Sequence, residues 1–141
     1  MNIRLQAVLT VVLAAVIVCS AATDNSWMKR VPENDRKKVN PYAQQPEAIP
    51  AGAKLFADHC AQCHGADALG RGKRPSLRTY EVQEASDGEI FWILRNGYLR
   101  RGMPTWSGLP EQSRWQIIAY VKSLGVSPEN HSDDQARAEK P

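Results

Sequence analysis

The run Cys60-Ala61-Gln62-Cys63-His64 lies near the middle of this chain of 141 residues. A Cys-x-x-Cys-His pattern in an exported protein is typical of covalent attachment of c-type haem. Two thiols three positions apart lie on one face of a helical turn, where each forms a thioether to one porphyrin edge while the next imidazole coordinates iron. The run therefore predicts one covalent haem c, attached through Cys60 and Cys63, with its iron bound by His64.

Zinc binding, dithiol redox chemistry and simple packing are the other uses of two such cysteines. A structural zinc site needs four ligands from separated places, and only His59, which is too close, and His131, in a polar segment, could add to the run. A thioredoxin-like dithiol requires alternating strands and helices, and no strand pattern surrounds the run. A free cysteine pair in the core is the remaining alternative. His59 is expected at the surface or in packing.

An export signal is predicted at the N-terminus. Arg4 precedes an apolar run from Ala7 to Ala22 that ends in small residues, which favours cleavage before Thr23. The run is shorter than the about 20 apolar residues of a membrane-spanning helix. Residues 1–22, with Cys19, are therefore interpreted as a signal peptide, which indicates a periplasmic protein. An uncleaved anchor facing the periplasm is the alternative, and only that case predicts contact with a membrane.

Composition divides the rest of the chain into three segments. Residues 23–46 contain three prolines, a basic run and few large apolar residues, which predicts an extended linker. Residues 125–141 are polar with mixed charge, which predicts a disordered tail. Residues 47–124 are predicted to form one small domain, in which a buried haem would supply apolar surface. The net charge of +3 gives no support to nucleic-acid binding.

Three helices and no strands are predicted in the central segment, so the fold class is all-α. The first runs from about Pro50 to Cys63, with an apolar stripe at helical spacing. The second begins at Ser86, which forms a capping box with Glu89, and ends at Gly97. Its five consecutive apolar residues are also compatible with a buried strand. The third starts near Pro110 and runs to Leu124 in a clear amphipathic pattern.

Met103 is the candidate for the second axial ligand of the iron. It lies in Arg101-Gly102-Met103-Pro104, on a loop between the second and third helices, where glycine and proline restrict the backbone. A methionine that fills a gap in the core is the alternative. A haem already bound by His64 favours ligation. Iron with both axial positions filled has no site for a substrate, which favours electron transfer over catalysis.

With these motifs, the sequence resembles the class I cytochrome c family over about residues 47–124. The matching positions are Gly52, Phe56, Cys60, Cys63, His64, Pro75-Ser76-Leu77, Gly102-Met103-Pro104, Ile117 and Tyr120. The resemblance implies an all-α class I cytochrome c fold, with three to five short helices around one covalently bound haem c. It also implies that the first and last helices pack together through Gly52 and Tyr120. The Pro75 carbonyl would accept a hydrogen bond from the His64 ring.

The function implied is a non-enzymatic electron carrier. Single electrons would pass through a His/Met-ligated haem c between a periplasmic dehydrogenase as donor and a terminal oxidase as acceptor, because methionine ligation raises the reduction potential. A haem enzyme or sensor with a labile sixth ligand is one alternative. A haem subunit docked on a dehydrogenase, with the basic linker as its docking element, is another.

Basic and aromatic residues near the candidate ligands are open to two interpretations. The basic positions are Arg71, Lys73, Arg74, Arg95, Arg100 and Arg101. They form either a solvated face or a set of charges that pair with haem propionates or steer an acidic redox partner. Trp92, Trp106 and Trp115 are expected in the core and in the wall of the haem pocket, and a role as electron relays is the less favoured alternative.

Overall fold

A computed structural model describes residues 25–127, and the regular structure in this range is helical. The six α-helices are α1 (Glu33–Arg36), α2 (Ala48–His59), α3 (Ala61–His64), α4 (Tyr80–Glu84), α5 (Asp87–Asn96) and α6 (Glu111–Ser123). Two 3-10 helices span Asn25–Arg30 and Leu99–Arg101. The all-α prediction is confirmed, and the helices outnumber the expected three to five because α1, α3 and α4 are turns of four or five residues.

Helices α2 and α6 pack closely at the centre of the fold. Gly52 permits the close approach, because a Cβ there would overlap the Gln116 carbonyl oxygen and lie 2.9 Å from Tyr120 Cβ. The Phe56 ring packs on Tyr120 with ring centres 5.3 Å apart. Phe56 and Ile118 are among the most completely buried side chains. The helix pair expected from the family resemblance is therefore present, with Gly52 and Tyr120 in the packing roles predicted for them.

The first predicted helix, Pro50 to Cys63, is divided at Cys60 in the structure. Cys60 has a φ of −115°, far from the helical value of about −63°. Its carbonyl accepts hydrogen bonds from the N–H groups of Cys63 at 3.1 Å and His64 at 2.9 Å. Cys60 therefore ends α2 and caps α3, so the cysteine run forms a separate turn instead of the end of a long helix.

Helix α5 confirms the second predicted helix against the strand alternative. The Ser86 hydroxyl accepts the Glu89 N–H at 3.2 Å, and the Glu89 carboxylate accepts the Ser86 N–H at 2.8 Å, which completes the capping box. Gly97 follows the last residue of the helix, as predicted. Phe91 stacks on Trp115 of α6 at 4.0 Å, so the apolar run fills an interface between helices. The third predicted helix corresponds to α6.

The prediction of an extended linker over residues 23–46 is wrong for residues 25–46, which we call the N-terminal segment. This segment is folded onto α5 and α6, and Val31, Asp35 and Asn40 are among its buried residues. The Asn40 side-chain amide donates to the Trp115 carbonyl at 2.8 Å, and the Asn40 N–H donates to Asp87 at 3.1 Å. Polar residues make these attachments, which is why the composition resembled that of a solvated linker.

Ion pairs strengthen the attachment of the N-terminal segment to α5. Arg36 pairs with Glu89, the same carboxylate that completes the capping box. Asp35 accepts hydrogen bonds from Lys38 at 2.6 Å and from Arg95 of α5 at 3.3 Å. The first turn of α5 and the N-terminal segment are therefore stabilised by a shared set of charged groups.

Residues 125–127 are attached to the domain, which corrects the start of the predicted tail at residue 125. Ser127 is buried, and its N–H donates to the Arg78 carbonyl at 2.9 Å. Arg78 Nε donates to the Gly125 carbonyl at 3.3 Å. The rest of the predicted tail and the predicted signal peptide lie outside the described residues. None of the helices within residues 25–127 combines the length and the apolar composition of a membrane-spanning helix.

Candidate haem-binding site

The two thiols of the cysteine run are free and lie one helical turn apart. Cys60 is buried and Cys63 is half-buried, and neither is in a disulfide. Burial, together with the nearby Cys63, raises the pKa of the Cys60 thiol to about 11. Cys60 is therefore a neutral thiol at physiological pH, and both sulfurs are available for thioether bonds.

His64 is oriented by a hydrogen bond to the loop that follows it. Its Nδ1 lies 2.9 Å from the carbonyl oxygen of Pro75, the contact expected from the family resemblance. A carbonyl only accepts, so Nδ1 carries the proton and Nε2 keeps a lone pair. Burial lowers the pKa of His64, opposed by the Pro75 hydrogen bond and reinforced by the Arg74 charge. The ring is therefore a neutral imidazole at neutral pH, the form that binds a metal.

A short hairpin between residues 70 and 75 sets the position of the Pro75 carbonyl. Arg71 and Arg74 exchange backbone hydrogen bonds of 3.2 and 2.9 Å across a two-residue turn. Gly70, with a φ of +89°, closes the hairpin, because a Cβ there would lie 2.5 Å from the Arg74 carbonyl oxygen. The Gly70 N–H donates to the His64 carbonyl at 2.7 Å. The hairpin is thus attached at both ends to the histidine that it orients.

Met103 is held in a second, separate hairpin. Tyr98 and Met103 exchange backbone hydrogen bonds of 2.9 and 3.1 Å, and Gly102 turns the chain in the left-handed conformation with a φ of +76°. Met103 is half-buried and packs against the hydrophobic core that contains Cys60. The structure therefore places a thioether with a fixed backbone on the same core as the cysteine run.

A buried arginine supports the chain just after the methionine hairpin. Arg114 of α6 donates from one nitrogen to the carbonyls of Trp106, Ser107 and Leu109 at 3.2, 3.0 and 2.8 Å. The Trp106 ring packs against His59 with ring centres 5.4 Å apart. His59 is therefore used in packing, as expected. Sequence analysis did not find Arg114, because an arginine in an amphipathic helix ordinarily indicates a solvent-facing position.

The structure places the tryptophans and the basic residues in several different environments. Trp115 is buried in the core as expected, and Trp106 is half-buried beside His59. Arg95 pairs with Asp35 of the N-terminal segment, so its charge is used in the fold. Arg74 donates to the Arg101 carbonyl at 2.7 Å, a contact between the two hairpins that no sequence motif predicts.

The donors in this region fit a haem better than a bare metal ion. Within residues 25–127, no group of three or more histidine, cysteine, aspartate or glutamate side chains is arranged to hold a metal. Two free thiols on one turn, an adjacent imidazole with an open Nε2 and a thioether on another loop are the donors that haem c requires.

Comparison with known proteins agrees with this donor set. Residues 47–121 match the family described as cytochrome c oxidase, cbb3-type, subunit III. The chain belongs to this cytochrome c family. Members of the class I cytochrome c type carry covalently bound haem c, so the cofactor of this cytochrome domain is haem c with its iron. The resemblance inferred from the sequence motifs is thereby confirmed.

Individual relatives show how much of the cytochrome domain is shared. Cytochrome c550 of Pseudomonas aeruginosa is 32% identical over 90 residues, 61% of this chain and 62% of the relative. The cbb3-type cytochrome c oxidase subunit CcoP of Rubrivivax gelatinosus is 34% identical over 91 residues, 62% of this chain but 30% of the relative. The chain therefore spans less than two thirds of either relative.

A solved structure gives the same fold. The crystal structure of cytochrome CL from Methylophaga aminisulfidivorans is 30% identical to this cytochrome domain, with a TM-score of 0.55. The match covers 73% of this chain and 75% of the solved one. The helical architecture described above is therefore the class I cytochrome c fold.

Proposed function

We propose that this cytochrome domain is a mono-haem carrier of single electrons. In this proposal Cys60 and Cys63 form the two thioethers, and His64 and Met103 are the axial ligands of the iron. The observation that carries the proposal is the hydrogen bond of 2.9 Å between His64 Nδ1 and the Pro75 carbonyl, which leaves Nε2 free beside two free thiols. Haem c, when bound, supplies reversible one-electron oxidation and reduction of its iron.

The residues around the site hold the ligands in place during electron transfer. The Pro75 carbonyl fixes the orientation of His64 and increases the donor strength of its imidazole. The Tyr98–Met103 backbone pair holds the methionine hairpin, so little rearrangement is required when the oxidation state changes. Met103 also packs against the hydrophobic core that contains Cys60, which restricts its side chain.

A carrier role is favoured over an enzyme or sensor role. Two side-chain ligands leave no coordination position for a substrate or gas. The two backbone hydrogen bonds that hold Met103 support a ligand that stays bound, whereas a sensor requires a labile one. A haem enzyme or sensor with a labile sixth ligand is the alternative that the experiment below must distinguish.

The partners and the location belong to the same proposal. We infer a periplasmic domain that receives electrons from a dehydrogenase and passes them to a terminal oxidase. The similarity to an oxidase subunit, CcoP, supports an acceptor of the oxidase type. A haem subunit docked permanently on a dehydrogenase is the second possibility. Contact with a membrane would follow only if residues 1–22 were retained as an anchor.

The methionine ligand is tested by spectroscopy of the holoprotein. Ferric wild-type protein should show the weak red-end absorption of sulfur ligation, and the ferrous form should bind carbon monoxide poorly. Met103→Ala should lose that band and bind carbon monoxide readily, while the haem remains attached through Cys60 and Cys63. Met28→Ala, a change at the other methionine of the described range, is the control and should retain the band. A wild-type protein that is high-spin and binds carbon monoxide readily would contradict the carrier proposal.

A further inference from the structure

One side chain joins the two hairpins that carry the candidate ligands. Arg74, from the hairpin that orients His64, donates to the Arg101 carbonyl in the methionine hairpin at 2.7 Å. A Cβ on Gly102 would lie 2.5 Å from the same nitrogen, so the guanidinium packs directly on the glycine that precedes Met103. The guanidinium of Arg74 therefore makes both a hydrogen bond and a packing contact with the methionine hairpin.

Hydrogen bonds hold the backbone of Arg74 in place, so its side chain projects from a rigid segment. Its N–H and carbonyl both pair with Arg71 across the hairpin. Gly70 packs against its carbonyl, and the next residue, Pro75, bonds to the His64 ring. A movement of Arg74 would therefore disturb the carbonyl that orients His64.

The Arg101 carbonyl, which accepts the hydrogen bond from Arg74, lies close to Met103 along the backbone. Arg101 is the last residue of the 3-10 helix Leu99–Arg101, and its carbonyl is two residues before Met103. A guanidinium donor makes a stronger hydrogen bond than a neutral group, and it spreads over a flat surface such as a glycine backbone. The contact thus opposes movement of the methionine hairpin away from the His64 hairpin.

We propose that Arg74 is a positioning residue that clamps the methionine hairpin to the hairpin of His64 and so keeps the Met103 thioether on the iron. The inference rests on the proposed axial ligation by His64 and Met103. The effect of Arg74 on Met103 is transmitted through the Arg101 carbonyl and Gly102. Without the clamp, this direct connection between the methionine hairpin and the hairpin of His64 is lost.

The first test measures how easily an external ligand replaces the methionine. Imidazole is titrated into ferric holoprotein, and the loss of the sulfur band gives its apparent affinity. Loss of one hydrogen bond should favour the methionine-released state, so Arg74→Ala should bind imidazole about fivefold more tightly. Arg71→Ala removes the same charge from the same exposed hairpin and should bind imidazole like wild type.

A second measurement separates the clamp from the ligation itself. Hydrogen exchange at the Tyr98 and Met103 N–H groups, which pair across the methionine hairpin, should accelerate severalfold in Arg74→Ala but not in Arg71→Ala. Equal effects of the two variants, in either measurement, would mean that only charge matters and would overturn the proposal. A wild-type protein without a sulfur band would refute ligation by Met103, whereas unchanged exchange in Arg74→Ala would refute the clamp.

Discussion

A single glycine sets the distance between the Pro75 carbonyl and the His64 ring. Gly70 has a φ of +89°, and a Cβ there would lie 2.5 Å from the Arg74 carbonyl oxygen and 2.9 Å from the carbonyl carbon of Pro75. Any side chain at this position must displace the segment that holds the imidazole. The donor strength of the proposed iron ligand therefore depends on a residue whose hydrogen bond to His64 is made to the backbone and not to the imidazole.

We expect Gly70→Ala to raise the reduction potential. Moving the Pro75 carbonyl weakens its bond to His64, and a less electron-rich imidazole stabilises the ferric iron less. The expected rise is at most about 59 mV, a tenfold change in a one-electron equilibrium. Gly72→Ala is the control, because Gly72 also has a positive φ, +58°, but no atom within 4 Å of its Cβ position. Redox titration of both holoproteins checks this, and equal potentials would contradict it.

The N-terminal segment is part of the domain because its polar side chains have specific partners on α5 and α6. Asp35 accepts from Lys38 and Arg95, and the hydrogen bond from Lys38 is the main cause of a pKa held below the usual value for that carboxyl. Asn40 donates to the Trp115 carbonyl. The contact with Arg95 connects the segment to α5, the helix that leads into the methionine hairpin, and the contact with Trp115 connects it to α6.

Asp35→Asn should lower the free energy of unfolding at neutral pH by about 1 kcal/mol, because the charge-assisted bonds to Lys38 and Arg95 are lost. A depressed pKa in the folded state means that this stabilisation is present above the unfolded pKa of about 3.9 and is lost as the pH falls. The difference from wild type should therefore disappear in acid. Thermal unfolding of both proteins at neutral and acidic pH measures this difference in stability. Glu33→Gln, which breaks an exposed pair with Lys37, should have little effect at either pH.

Elements with local signals could be predicted from the sequence, and elements that depend on distant polar partners could not. The capping box of Ser86 and Glu89 is contained in four residues, and the family resemblance implied that Gly52 lies on the packed face of α2. The N-terminal segment was misjudged because the partner of Asn40 lies 75 residues away at Trp115. The contact of Arg74 with the methionine hairpin was missed for the same reason, since it spans 27 residues.

Across the whole molecule, a modest net charge of +3 conceals an uneven distribution. The two hairpins beside the proposed ligands, residues 70–75 and 97–104, contain no acidic residue. Their exposed basic side chains are Arg71, Lys73, Arg74, Arg100 and Arg101. Leu99, which is 74% exposed, lies next to Arg100. Because Arg74 joins the two hairpins, these charges form one basic surface beside the proposed ligands, and such a surface attracts anions and acidic proteins.

Reversal of one charge on this surface should slow electron transfer to an anionic acceptor more than reversal of a charge elsewhere. The probe is ferricyanide, and the rate of its reduction by ferrous holoprotein is followed by stopped flow. Arg100→Glu should lower the rate severalfold in about 0.01 M salt, where charges act over about 30 Å, and hardly at all in 1 M salt, where they act over about 3 Å. Lys54→Glu, at an exposed position on α2, changes the net charge equally and should have a smaller effect. Equal slowing by both variants would mean that net charge, and not the basic surface, governs the approach of the acceptor.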